Sequence, residues 1–137
     1  MKPTPFYSFP EGTDINTVDW HDICDNKKLS EEFITKYASK VDWLLICSRQ
    51  KLSEEFIIQH TDKVYWYVIS WSQKLSEEFI AKWATKVSWK GISSRQKLSE
   101  KFITKYAAKV YWQDISRYQE LSEKFRAKHK LGNRNPL

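Results

Sequence analysis

Apolar residues return along this chain at one fixed interval. Trp20, Trp43, Trp66, Trp89 and Trp112 are each 23 residues apart, and so are Leu29, Leu52, Leu75, Leu98 and Leu121. Phe33 to Phe125 and Ile23 to Ile115 keep the same spacing through five copies. Four residue types holding one period identify an internal repeat, and a period of this length is that of a stacked supersecondary unit.

The polar positions divide each copy into two helices. In the second copy Ser53 precedes Glu54-Glu55-Phe56-Ile57, and its hydroxyl is placed to accept an orphan N–H as an N-cap. Leu52 and Ile57 have the spacing of a hydrophobic staple. Glu54 and Glu55 fall at the positive end of the helix dipole and Lys63 near the negative end. Ser30, Ser76, Ser99 and Ser122 repeat this grammar. Ile57, His60, Thr61 and Val64 follow the i, i+3, i+4, i+7 rule of a buried stripe, which predicts a longer helix running to Val64, about 16 Å long. The shorter segment, about 12 Å long, puts Trp43, Ile46, Cys47 and Gln50 on one face. Asp19, Asp42 and Ser88 can cap it; Tyr65 and Tyr111 cannot.

Pairs this short bury little alone and must stack on their neighbours. The predicted fold is all-α, a short α-solenoid of five stacked 23-residue two-helix repeats. Residues 1–18, with Pro3, Pro5, Phe6, Phe9 and Pro10, read as an extended N-terminal cap over the first Trp. The solenoid occupies 19–131, and 132–137 form a C-terminal tail. The fifth copy decays after Phe125, where Arg126 replaces Ile.

Composition agrees with helices. All four prolines, Pro136 included, lie near the ends, which leaves the interior nearly free of breakers. No apolar run approaches the length of a membrane span, and no signal-peptide core is visible, so a cytoplasmic or nuclear setting is expected. Net charge is +6 but uneven. Residues 69–137 carry 15 Lys/Arg against 6 Asp/Glu, whereas residues 1–68 carry 8 against 11. An acidic partner would meet the C-terminal half first.

The motif LSEEFIxKYxxKVxWxxISxxQK resembles 23-residue repeats of large DNA viruses, phages and bacteria, specifically at Leu-Ser-Glu, Phe-Ile and Val-x-Trp. The resemblance covers about residues 19–131 and carries no catalytic residues. It implies a helical repeat protein, one acting on host machinery in the host cytoplasm or nucleus.

No catalytic constellation stands apart from the scaffold. His60 and His129 fill the slot of Tyr37, Trp83 and Tyr106 and are expected to pack there. His21, with Asp22 and Asp25, offers at most an adventitious metal site. Cys24 and Cys47 share a slot with Ser70, Ser93 and Ser116. Because neighbouring units should lie about 8–10 Å apart, beyond disulfide reach, free thiols are expected. The doublets Glu31/Glu32, Glu54/Glu55 and Glu77/Glu78 are accounted for by the dipole. Glycine-rich phosphate loops and Cys/His metal spacing are lacking. The expectation is no enzyme, no cofactor, no metal, no small-molecule substrate and no membrane.

Function should then lie where copies differ. The second, third, sixth and seventh positions of the short helix vary most and are predicted to face outward. Leu44, Leu45, Tyr67, Val68 and Trp71 form an apolar strip there, of the kind a monomer avoids. Such a strip is expected to bind a protein partner or a second copy, unless the N-terminal arm or superhelical curvature covers part of it. The alternative is nonspecific nucleic-acid binding by a lysine row, Lys97, Lys101, Lys105, Lys109, Lys124 and Lys128, through counterion release. A designed consensus solenoid fits less well, given the uneven caps, the N-terminal arm and the two cysteines.

Overall fold

The computed structural model describes residues 5–133. Among them every regular element is helical, and the helix pairs repeat and stack, an all-α repeat-solenoid fold. Pro3, in the predicted cap, and residues 134–137, in the predicted tail, lie outside the described residues. The chain packs as two compact units, 1–65 and 66–137, which meet in sequence between the second and third copies. The first unit holds a 3₁₀ turn at Ile15–Thr17, then α1 (Trp20–Asn26), α2 (Glu31–Lys36), α3 (Trp43–Arg49) and α4 (Glu54–Gln59). The second holds α5 (Trp66–Ser72), α6 (Glu77–Lys82), α7 (Trp89–Arg95), α8 (Glu100–Lys105), α9 (Trp112–Tyr118) and α10 (Glu123–Lys128).

Capping fixes where these helices begin. Ser30, Ser53, Ser76, Ser99 and Ser122 each accept the backbone N–H of the Phe three residues on, at 3.0–3.1 Å. Asp19, Asp42 and Ser88 do the same for α1, α3 and α7, while Tyr111 gives α9 no side-chain cap.

The longer helix is shorter than its apolar stripe suggests. Each is six residues of α-helix followed by a separate turn, not one rod running to the Val. In the first copy the break comes at Tyr37, with φ −109° and ψ 31°, well outside the helical basin. Its ring lies 4.9 Å from that of Phe33 and 5.3 Å from that of Trp20. The next turn is closed by Val41 N–H donating to the Tyr37 carbonyl at 3.1 Å. This bend brings the turn to the Trp of the following short helix in three copies: Trp43, Trp89 and Trp112 donate their indole N–H to the carbonyls of Ala38, Ala84 and Ala107 at 2.9–3.0 Å. The stripe periodicity survives the break, so Ile34, Ile57, Ile80 and Ile103 are fully buried and Val41, Val64, Val87 and Val110 nearly so.

Successive short helices pack on one another, α1 on α3 in the first unit and α5 on α7 on α9 in the second. Helices of six or seven residues leave most of their backbone groups unpaired, roughly four at each end. The next copy supplies the partners. Gln50 donates through Nε2 to the carbonyls of Cys24 and Lys27 at 3.1 and 2.8 Å, and its Oε1 accepts from Leu29 N–H at 2.9 Å. Gln96 does the same for Ser70, Gln73 and Leu75, and Gln119 for Ser93, Gln96 and Leu98. All of these glutamines are buried. The corresponding residue of the first copy is the exposed Lys27, which has no preceding copy to serve. A second link runs along the other side: Glu31 accepts both the N–H and the hydroxyl of Ser53 at 2.6 and 2.9 Å, and Glu77 and Glu100 hold Ser99 and Ser122 likewise.

The outermost copies carry substitutes for missing neighbours. Phe9 packs edge-on against Trp20 at 5.7 Å and lies 5.2 Å from Phe33, and Tyr7 N–H donates to the Lys28 carbonyl at 2.7 Å. At the other end Arg126 occupies the isoleucine slot and is buried. Its guanidinium donates to the Ser116 carbonyl at 2.7 Å, to Ser116 Oγ at 3.2 Å and to the Gly132 carbonyl at 3.3 Å. The Ser116 carbonyl is the counterpart of the Ser70 and Ser93 carbonyls that a following glutamine would bind, so Arg126 takes over that bond.

Replacing Gln96 by Leu strands one buried N–H and two carbonyls. A loss of about 3 kcal/mol or more is expected, readable as a lower urea midpoint at unchanged m-value. Lys97→Leu beside it, at an exposed position, should move the midpoint little.

Candidate functional site: the variable face of the short helices

The short helix has seven positions, beginning with Trp. Its first, fourth and fifth positions hold Trp, Ile and Cys or Ser, and these face the interior. The second position is solvent-facing throughout, whether it carries His21, Leu44, Tyr67, Lys90 or Gln113. Leu44 is 49% exposed and Tyr67 63%. The third position is not fully outside, as the helical wheel alone suggests. Leu45 and Val68 are half-buried and Gly91 is buried, because this position turns into the seam against the neighbouring short helix.

Trp71, at the sixth position of α5, is also half-buried. Its indole lies over Gly91 of α7: a Cβ built on that glycine would come within 2.8 Å of Trp71 Cδ1 and 2.9 Å of Nε1. A glycine inside a helix costs about 1 kcal/mol relative to alanine, and here it makes room for an indole. Trp71 Nε1 is buried without a hydrogen-bond partner. Tyr67 flanks the same indole at 6.0 Å. The structure thus groups Tyr67, Val68 and Trp71 on α5, and Leu44 with Leu45 on α3.

The seventh position of one copy meets the sixth of the copy before it. Arg49 pairs with Asp25 at 2.9 Å in the first unit. In the second, Arg95 stands over the ring of Trp71 at 5.4 Å. Lys90 and Asp114 form an ion pair at 3.1 Å.

The lysine row is interrupted. Lys101 and Lys105 lie on α8 and Lys124 and Lys128 on α10, but Lys97 belongs to the connector before α8 and Lys109 to the turn after it. The six-residue helix cannot carry the four-residue spacing further. All six are exposed, and no ion pair involves them among the described residues. Lys101 and Lys124 replace the second glutamate of the doublet, which is exposed in Glu32, Glu55 and Glu78, whereas the first glutamate is the one bound to the next copy's serine. The scaffold leaves the second position free to change sign.

The histidines lie within the aromatic packing. His60 is 4.5 Å from Phe56 and 5.1 Å from Trp43, with Nε2 3.2 Å from Thr35 Oγ1; His129 stacks on Trp112 at 4.8 Å. His21 is exposed, 4.0 Å from Asp42. Among the described residues no group of three or more His, Cys, Asp or Glu is placed to hold a metal ion, and no helix is long and apolar enough to cross a membrane.

Cys24 and Cys47 are buried free thiols. Cys24 Sγ accepts the N–H of Asp42 at 3.4 Å and Cys47 Sγ that of Tyr65 at 3.5 Å, the bond that Ser70 and Ser93 make at 2.9 Å to Ser88 and Tyr111. Burial pushes both thiols above the ordinary cysteine range. The sequence marks this position as a small slot and carries no signal for the bond.

The chain was compared with protein-family models, curated proteins and solved structures, and none matches.

The raised thiol pKa means that the folded state keeps its protons where the unfolded chain loses them. Stability from this source is present below the unfolded thiol pKa and is lost as pH rises toward the folded one. Native protein should label slowly with a thiol reagent at mildly alkaline pH and rapidly in denaturant. The Cys24→Ser, Cys47→Ser variant should fold and lose that alkaline dependence.

Proposed function

We propose that the protein is a non-enzymatic binding scaffold that engages a protein partner, or a second copy of itself, through the variable face of its short helices. Each unit contributes its own residues, Leu44 and Leu45 in the first, Tyr67, Val68 and Trp71 in the second. One observation carries the reading. The second helix position tolerates His21, Lys90 and Gln113, so the fold does not ask for an apolar side chain there, yet Leu44 and Tyr67 are large, apolar and about half or more exposed. Large aromatic and aliphatic groups left at the surface are the usual anchors of an interface. The resemblance to viral and phage repeats supports a partner in an infected host, in its cytoplasm or nucleus.

Leu44→Asp with Tyr67→Asp tests the reading without disturbing the seam residues Leu45, Val68 and Trp71. The helical circular dichroism should be unchanged. Light scattering after size exclusion, and affinity capture with the native protein beside the variant, should show loss of a dimer or of a captured partner. Equal mass and equal capture in both would remove the proposal.

A second reading, nonspecific binding of nucleic acid by Lys97, Lys101, Lys105, Lys109, Lys124 and Lys128, is favoured by one feature: six exposed lysines in a unit of net charge +9, none in an ion pair among the described residues. Lysine point charges without arginine forks on that row would give little base discrimination. A gel shift at low salt that fades at moderate salt is the expected result. No shift at low salt would end this reading.

A further inference from the structure

The same arginine position is satisfied in one unit and unsatisfied in the other. Arg49 and Arg95 are equivalent residues two copies apart. Arg49 forms its ion pair with Asp25 of the preceding copy. At the place equivalent to Asp25, Arg95 meets Trp71 instead, which offers a ring face and no carboxylate. In the next copy the seventh position is Tyr118, and Arg117, at the sixth, lies against its ring at 5.5 Å with no ion pair among the described residues. The nearby acid is already engaged, because Asp114 is held by Lys90. A groove of about 370 Å³ runs between these residues, its lining including Trp71, Arg95, Arg117, Tyr118 and the Lys90–Asp114 pair. It lies in the second unit, where 15 Lys/Arg face 6 Asp/Glu.

We propose that this groove binds an acidic peptide segment, whose carboxylates take Arg95 in the way Asp25 takes Arg49 and take Arg117 in the same lining. The proposal deepens the binding reading above and rests on it, by giving the partner a chemistry. Guanidinium forks match carboxylates in geometry and form the stronger class of hydrogen bond. Each arginine is held against an aromatic ring, which limits its freedom before a ligand arrives. That arrangement favours a peptide over a nucleic acid. Arg95 covers Trp71, the Gly91 backbone crowds the same indole, and Arg117 lies on Tyr118. Rings so occupied are poor platforms for base stacking, on which single-strand binding relies. Carboxylates need only the arginine edges.

Fluorescence anisotropy with a short fluorescein-labelled Asp/Glu peptide carrying one Phe tests the site on the full chain. Three probes are compared: the acidic peptide, its Asn/Gln counterpart and a single-stranded oligonucleotide. The acidic peptide alone should bind saturably, and more weakly as salt rises. Arg95→Gln and Arg117→Gln should each weaken it about tenfold, while Arg49→Gln, whose charge is internally paired, should leave it unchanged. Trp71→Asp recreates the Asp25 arrangement inside the second unit and should abolish binding by satisfying Arg95 from within. The arginine variants, at exposed positions, cover the case in which Trp71→Asp fails to fold. No binding of the acidic peptide, binding by both arginine variants as tight as by the native protein, or tighter binding of the oligonucleotide dependent on Arg95 would each overturn the proposal. If the native protein still loses its partner or dimer on Leu44→Asp with Tyr67→Asp, only this groove is rejected. If that test fails too, the binding reading falls with it.

Discussion

A short helix has too little backbone of its own to satisfy itself, and the rest of this structure follows from that shortage. Six- and seven-residue helices leave most N–H and C=O groups without internal partners, and buried polar groups left unpaired cost about 1–3 kcal/mol each. The buried glutamines Gln50, Gln96 and Gln119 answer the shortage across the seam, each joining two carbonyls and one N–H of the copy before it. The glutamate–serine link and the Cys or Ser acceptor tie further N–H groups of the next copy. Apolar stacking supplies area without direction; these bonds supply register. A copy slipped against its neighbour would strand several buried groups at once, so the stacking geometry is specified by polar chemistry as much as by the isoleucine and aromatic core.

The same constraint explains the odd residues at the ends of the series. Lys27 stands where later copies have glutamine because no earlier copy waits for its side chain. Arg126, which from sequence alone looks like decay of the repeat, is buried and bonds the carbonyl that a later glutamine would have bound. A charged side chain in an isoleucine slot is costly unless its donors are matched, and here three acceptors surround it.

The period made the fold class legible, since four residue types fixed both the unit and its two helices. Helix length was less legible. The apolar stripe continues through Tyr37 to Val41, and periodicity cannot tell a continuous helix from a helix plus a turn that keeps the same face buried. The glutamines were visible only as one more conserved spacing on a buried face, because a pattern of burial says nothing about which backbone atoms a polar head will meet. The apolar strip was legible as composition, but its exposure was not. Leu44 and Tyr67 are outside as the wheel suggests, whereas Leu45, Val68 and Trp71 turn into seams that exist only once a second short helix is in place. The lysine row was legible as spacing and breaks where the helix does, at Lys97 and Lys109.

Differences between equivalent positions separate what the scaffold requires from what it leaves open. Asp25 and Trp71 hold the same place, one copy before Arg49 and Arg95 respectively. A carboxylate there completes an ion pair and needs nothing else. An indole there needs space, and Gly91 provides it by removing the Cβ that would otherwise come within 2.8 Å. The exchange therefore involves two coordinated residues in different copies, and it leaves a guanidinium without a counter-charge in the unit that already carries the larger positive excess. An exposed ion pair is worth at most about 1 kcal/mol; the replacement buries part of an indole, and against that apolar gain it adds a helix glycine and leaves a buried indole N–H without a partner. Where a sibling copy closes the same place with a carboxylate, this one gives up hydrogen bonding and helix propensity to keep a ring there, and that ring holds Arg95 at the surface with no ion pair among the described residues.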